Sequence, residues 1–165
     1  MKYSGSAMIA ITMCSYMMFA NNSVASAPRI VKETAQQKRG DSATKHRLIL
    51  QVNSNDPAMM NLALNNAANV AKYYEEIGES VEVEIVTFGP GLHMLRDDTS
   101  PVKDRIKSLA TGVPSISFKA CGNTQDSMSK AENKPISLIP EAALVRSGVV
   151  RVMELQERGW SYVKP

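Results

Sequence analysis

Short apolar runs along the chain alternate with longer stretches in which apolar residues recur every three or four positions. Leu48-Ile49-Leu50-Gln51-Val52 is nearly unbroken, the pattern of a strand covered on both faces, and order is expected to begin at Arg47. Asn53 to Asp56 then turn the chain, with Asp56 suited to an N-cap and Pro57 to the first helical position. The spacing of Met60, Leu64, Ala67, Ala71 and Tyr74 predicts a helix from Pro57 to Ile77, ended by Gly78. Asn61, Asn65, Asn66 and Asn69 are poor interior helix formers. Asn65 and Asn69 share a face, where they either bond neighbouring loops or another subunit or are simply solvated.

Val81 to Phe88 predicts a second strand, half-exposed at first, where Glu82 and Glu84 alternate with Val81, Val83 and Ile85, and apolar from Val86. Gly89-Pro90-Gly91 leads into a short helix, Leu92 to Leu95. Its glycines make either a plain turn or a place where a ligand meets the backbone. A helix from Val102 to Ala110 turns Ile106 and Leu109 inward, and Gly112-Val113-Pro114 opens a third strand ending at Cys121. After it, Gly122, Asn123 and Thr124 suit a turn or a helix start, and Gln125 to Lys134 forms a short helix with a loop. Ala142 to Val145 is a fourth strand. Ser147 caps a helix with Val149, Val152, Met153 and Gln156 in one stripe, and Trp160 to Val163 closes the chain as a fifth strand. Strand and helix alternate, with connections long enough for crossovers, so a parallel sheet with helices on both faces follows.

Composition changes this picture at the N-terminus. Lys2, an apolar Met-rich run from Ala7 to Ala20 and the small-residue sequence Ser23-Val24-Ala25-Ser26-Ala27 have the layout of a secretory signal peptide. Cleavage after Ala25 is preferred to cleavage after Ala27, because Pro28 would directly follow the latter. Residues 1–25 are therefore expected to be a leader, residues 26–45 a flexible tether rich in Lys, Gln, Ser and Thr, and residues 46–165 the folded domain. Removing the leader takes away Lys2 and Cys14 but no acidic residue, leaving 18 basic and 16 acidic residues and one cysteine, Cys121. The basic residues are scattered, so nucleic acid is set aside as a partner. Nothing in the mature chain suggests a membrane.

A lone cysteine in an oxidising compartment is either buried, paired with another chain, or kept as a reactive thiol. Cys121 ends a strand where a helix begins, and unpaired N–H groups of a first helical turn favour a thiolate. Ser117, Lys119 and Cys121 share a sheet face if the period of two persists. Lys119 therefore either escapes at an edge of the sheet or stands near the thiol and stabilises its charge. The only histidines, His46 and His93, make no zinc-ligand spacing with one cysteine, and there is no G-x-S-x-G, P-loop or G-x-G-x-x-G pattern. No metal and no cofactor is expected, and hydrolase chemistry is set aside.

Ala120-Cys121-Gly122-Asn123-Thr124, Ser147-Gly148-Val149 and Gln156-Glu157-Arg158-Gly159-Trp160-Ser161-Tyr162 together resemble the DsrE/DsrF-like family over residues 46–165. The resemblance implies a three-layer α/β/α domain with a five-stranded, mainly parallel sheet, trimers or hexamers, and a link to sulfur metabolism. In relay members a cysteine after the third strand carries persulfide sulfur between partner proteins, and Cys121 matches it. The basic residues that follow the cysteine in those carriers are replaced here by Gly122-Asn123-Thr124-Gln125-Asp126. The resulting expectation is a periplasmic sulfur-handling protein with Cys121 as its reactive atom, Lys119, Gly122, Asn123 and Thr124 as binding residues, and a sulfur donor or acceptor protein as partner. The alternatives are a binding or assembly module in which Cys121 only packs, and a redox sensor that forms an intermolecular disulfide.

Overall fold

The computed structural model describes residues 45–165. The expected leader, residues 1–25, and residues 26–44 of the expected tether lie outside the described residues. The chain forms β1 (Lys45–Val52), α1 (Pro57–Glu76), β2 (Ser80–Thr87), a 3-10 helix (Gly89–Leu95), α2 (Lys103–Gly112), β3 (Ile116–Cys121), α3 (Gly122–Glu132), β4 (Ala142–Val145), α4 (Gly148–Glu157) and β5 (Ser161–Val163). The five strands pair in parallel in the order β4-β3-β2-β1-β5.

This order decides which face each helix covers. From β1 to β4 the chain steps across the sheet in one direction, so right-handed crossovers put their helices on one face. The connection from β4 to β5 returns across the whole sheet, and the same handedness sends α4 to the other. The main core accordingly packs Met60, Leu64 and Ala67 of α1, Leu92 and Leu95 of the 3-10 helix and Ile106 of α2 against Leu50, Val83, Ile85 and Phe118. On the opposite face Val152 and Leu155 of α4 meet Ile49 and Val86, with Phe88 and Trp160 beside them. The domain is thus the expected three-layer α/β/α fold with a five-stranded parallel sheet. Among the described residues no helix is long and apolar enough to cross a membrane.

Asp56 caps α1 through its Oδ1, which accepts from the Ala58 N–H at 2.9 Å, and Pro57 occupies the first turn. β1 begins at Lys45, earlier than the apolar run indicates and inside the segment expected to be a tether. Lys45 pairs with Glu82 on the neighbouring strand at 2.6 Å, so a polar strand start is held by cross-strand charges rather than by burial. Asn61 and Asn65 are not merely solvated: both side chains accept from the Arg105 guanidinium of α2, whereas Asn69 is exposed. Gly91 explains the turn glycines. A Cβ there would lie 2.1 Å from the Val52 carbonyl oxygen, so the chain's own backbone makes the close approach.

The inward stripe of α4 differs from the expected one. Gly148, Val152 and Leu155 are buried, while Val149, Met153 and Gln156 face outward. Both stripes have helical spacing, and the choice is made by Gly148, whose backbone packs so closely on Phe88 that a Cβ would lie 2.8 Å from Phe88 Cδ1.

A buried ion pair also anchors α4. Glu84 of β2, 3% exposed, accepts from Arg151 Nε at 2.7 Å and Nη2 at 2.9 Å. Removing Arg151 alone would strand a carboxylate in the sheet. Arg151→Met is expected to cost about 3 kcal/mol in urea unfolding, whereas Glu84→Val combined with Arg151→Met should fall near wild-type stability. Equal losses in the single and double variants would show that the pair does not carry the attachment.

Candidate functional site

The crossover reversal falls between β3 and β4. β3 sends its chain into α3 on the main-core side, while its neighbour β4 sends its chain into α4 on the other, and ligands of open α/β sheets collect in the crevice such a divergence opens. Cys121, the last residue of β3, sits at this point in the N-cap position of α3. Two helix N-termini therefore converge on one thiol.

Cys121 is 4% exposed, and burial, the largest single influence on its ionisation, favours the neutral thiol. Against it act the dipoles of the Thr124 hydroxyl and of the backbone N–H groups of Gly148, Thr124 and Asn123, which surround the sulfur and together lower the pKa below the ordinary thiol value. Thr124 Oγ1 accepts from the Gly89 N–H at 3.0 Å, which leaves its own proton to donate to Sγ.

Three of the four expected binding residues lie at the thiol. Asn123 and Thr124 stand in the first turn of α3 beside it, and Gly122 is the buried first residue of that helix. Lys119 lies on the same sheet face and is half-buried, and its ammonium makes no hydrogen bond or ion pair among the described residues.

Gly148 is the donor that the sequence reading did not single out for the thiol. A Cβ there would stand 3.3 Å from Cys121 Cβ as well as against Phe88, so only glycine lets the start of α4 come this close. The Ser147 cap marked the helix start, with its Oγ accepting from the Val150 N–H. The missing fact was that β4 lies beside β3.

Two cavities flank the thiol, and Asn123 lines both. One, of about 620 Å³, lies on the α4 side and is bounded by Val145, Arg146, Ser147, Val150, Arg151 and Glu154. The other, a groove of about 610 Å³ between the 3-10 helix and α3, is bounded by Gly89, Pro90, His93, Thr124, Ser127 and Met128. Cys121 itself lines neither. His93 bonds Thr99 Oγ1 through Nδ1 at 2.8 Å, and His46 is held elsewhere by Glu79 and stacked on Tyr74. Among the described residues there is no group of three or more His, Cys, Asp or Glu side chains able to hold a metal ion.

No family model matches the chain, and no curated protein matches it. Among solved structures it is similar to MTH1491 from Methanobacterium thermoautotrophicum, described as a protein of unknown function. The two are 26% identical, with a TM-score of 0.62, over 73% of this chain and 99% of that one. The likeness supports the fold and carries no activity with it.

The geometry sets the pH behaviour. A thiol whose folded pKa is depressed contributes stability that is complete above the ordinary thiol value of about 8.5 and is lost as pH falls through the folded value. Alkylation of the native protein is expected to titrate below that ordinary value, and Gly148→Ala and Thr124→Val are each expected to move the midpoint upward. A native midpoint at or above about 8.5 would contradict the donor arrangement.

Proposed function

We propose that this protein handles sulfane sulfur on a single thiol, Cys121, in the periplasm, as a DsrE/DsrF-like domain (residues 46–165) exported by residues 1–25. The observation that carries the reading is the place of Cys121 at the N-cap of α3 with Gly148 of α4 packed against it, so that the dipoles of two first helical turns bear on the sulfur and favour the thiolate. A thiolate is the form that attacks sulfur, and the donors remain in place to hold the negative persulfide that would replace it.

The step balances without an external oxidant. The Cys121 thiolate attacks the outer sulfur of a persulfide or polysulfide; a new S–S bond forms to Cys121 as the donor's S–S bond breaks. The leaving sulfur departs with the electron pair as a thiolate. A second thiolate on an acceptor reverses the sequence and regenerates Cys121. This is thiol–disulfide exchange with sulfane sulfur as the group transferred.

The same proposal assembles the domain as a trimer or hexamer. It is supported by Val149, Val150 and Met153 of α4 and Leu144 of the edge strand β4, large apolar residues about half exposed beside the site. A second reading, a binding or assembly module with a packing cysteine, is favoured by the slight exposure of Cys121.

Mass spectrometry after polysulfide treatment separates the two. The expected result is added sulfur on Cys121 in the folded protein, removed by reductant and absent from Cys121→Ser. A thiol that takes up sulfur and alkylating reagent only after denaturation would establish the packing role instead.

A further inference from the structure

α3 carries three of the four polar groups that favour the thiolate, yet almost nothing apolar holds it in place. Its sequence, Gly122-Asn123-Thr124-Gln125-Asp126-Ser127-Met128-Ser129-Lys130-Ala131-Glu132, buries only Gly122 fully, and Met128 is its one half-buried large apolar side chain. A helix without an apolar stripe takes its position from polar ties. At its first turn the Gly89 N–H reaches Thr124 Oγ1, and the Asn123 N–H also reaches the Arg146 carbonyl at 3.1 Å. In mid-helix Gln125 Nε2 donates to the Ile136 carbonyl at 2.7 Å.

A further tie is ionic, with a buried arginine at its centre. Arg96, directly after the 3-10 helix, is 1% exposed, the deepest charged side chain among the described residues. Its guanidinium forks onto both oxygens of Asp98, through Nε at 2.9 Å and Nη2 at 2.8 Å. It makes a second two-point contact, through Nη1 and Nη2, with Glu132 in the last turn of α3, and Nη1 also approaches Met128 Sδ at 3.7 Å. Lys134 closes the cluster, with Nζ 2.9 Å from Asp98 and 3.3 Å from Glu132. The 3-10 helix and α3 are thus fastened to each other at both ends, through Gly89 and Thr124 at one and through Arg96 and Glu132 at the other.

We propose that Arg96 is a positioning residue for the Cys121 thiol: by fastening the far end of α3 it fixes the angle of that helix, and with it the first turn, Asn123 and Thr124, that follows Cys121 at the N-cap. This rests on the reading of Cys121 as a working thiolate. A helix is stiff over three turns, so a pivot at its last turn is felt at its first. The tie is also costly to lose, because the guanidinium is itself buried and losing a carboxylate leaves its charge less well paired.

The test is the alkylation midpoint of Cys121 in the native protein, together with amide hydrogen exchange at Asn123 and Thr124. Arg96→Lys keeps the charge but loses the fork. Glu132→Gln keeps Arg96 paired to Asp98 and acts at a partly exposed position, so it remains folded if the arginine variant does not. Val81→Ala, at the far end of the sheet, serves as a control of comparable destabilisation. Both test variants are expected to raise the midpoint by about half a pH unit or more and to speed exchange at the two amides about tenfold, with the control unchanged. An unmoved midpoint in Glu132→Gln, or an equal movement in the control, overturns the proposal. The titration uses no sulfur donor, so its outcome is independent of whether Cys121 accepts sulfur.

Discussion

Two neighbouring strands that send their chains to opposite faces of a sheet must leave an opening between them, and in this domain everything chemical depends on that opening. β3 and β4 are such a pair. The divergence lets the first turns of α3 and α4 approach one point from two sides, which no single strand-to-helix junction can do. Cys121 occupies the point, and the amides that meet there oppose the cost of burying its charge. The reversal itself follows from handedness once β5 pairs with β1 rather than with β4.

The two faces of the sheet are secured in different ways. On the main-core side α1 alone buries Met60, Ala63, Leu64, Ala67 and Ala71, and apolar area does the work. α4 buries only Val152, Leu155 and a glycine, and relies in addition on the Arg151–Glu84 pair. α3 has still less apolar contact and hangs on Arg96. The helices that bear on the thiol are therefore the two whose seats are polar and directional. Such contacts specify position more sharply than apolar packing of equal strength, because a carboxylate fork tolerates little sliding.

The parts of this design that are local were legible in the residues. The Asp56 cap, the Pro57 start and the strand running into Cys121 each depend on neighbours within a few positions, and each stands where the pattern puts it. The first-turn amides of Asn123 and Thr124 followed from the same local logic. What could not be read was set by pairing at long range. Gly148 reaches the thiol only because β4 lies against β3. Arg96, followed by two aspartates, resembles a solvated turn until topology brings Glu132 to it from 36 positions away. The α4 stripe was ambiguous for a related reason: helical spacing allows two faces, and the contact of Gly148 with Phe88 chooses between them. Lys119 shares the sheet face of Cys121, but alternation alone cannot say how far its ammonium stands from the sulfur.

The close cover over Cys121 also acts as a size filter. A disulfide to another protein needs the two Cβ atoms within about 4 Å, which would bring a second backbone into the space now filled by Asn123, Thr124 and Gly148. A surface left only 4% open does not admit a polypeptide without displacing that cover. Small electrophiles that carry no Cβ and no backbone, bare sulfur chains among them, need no such space. Crosslinking between whole protein chains is thereby disfavoured by bulk alone, before any question of redox potential arises.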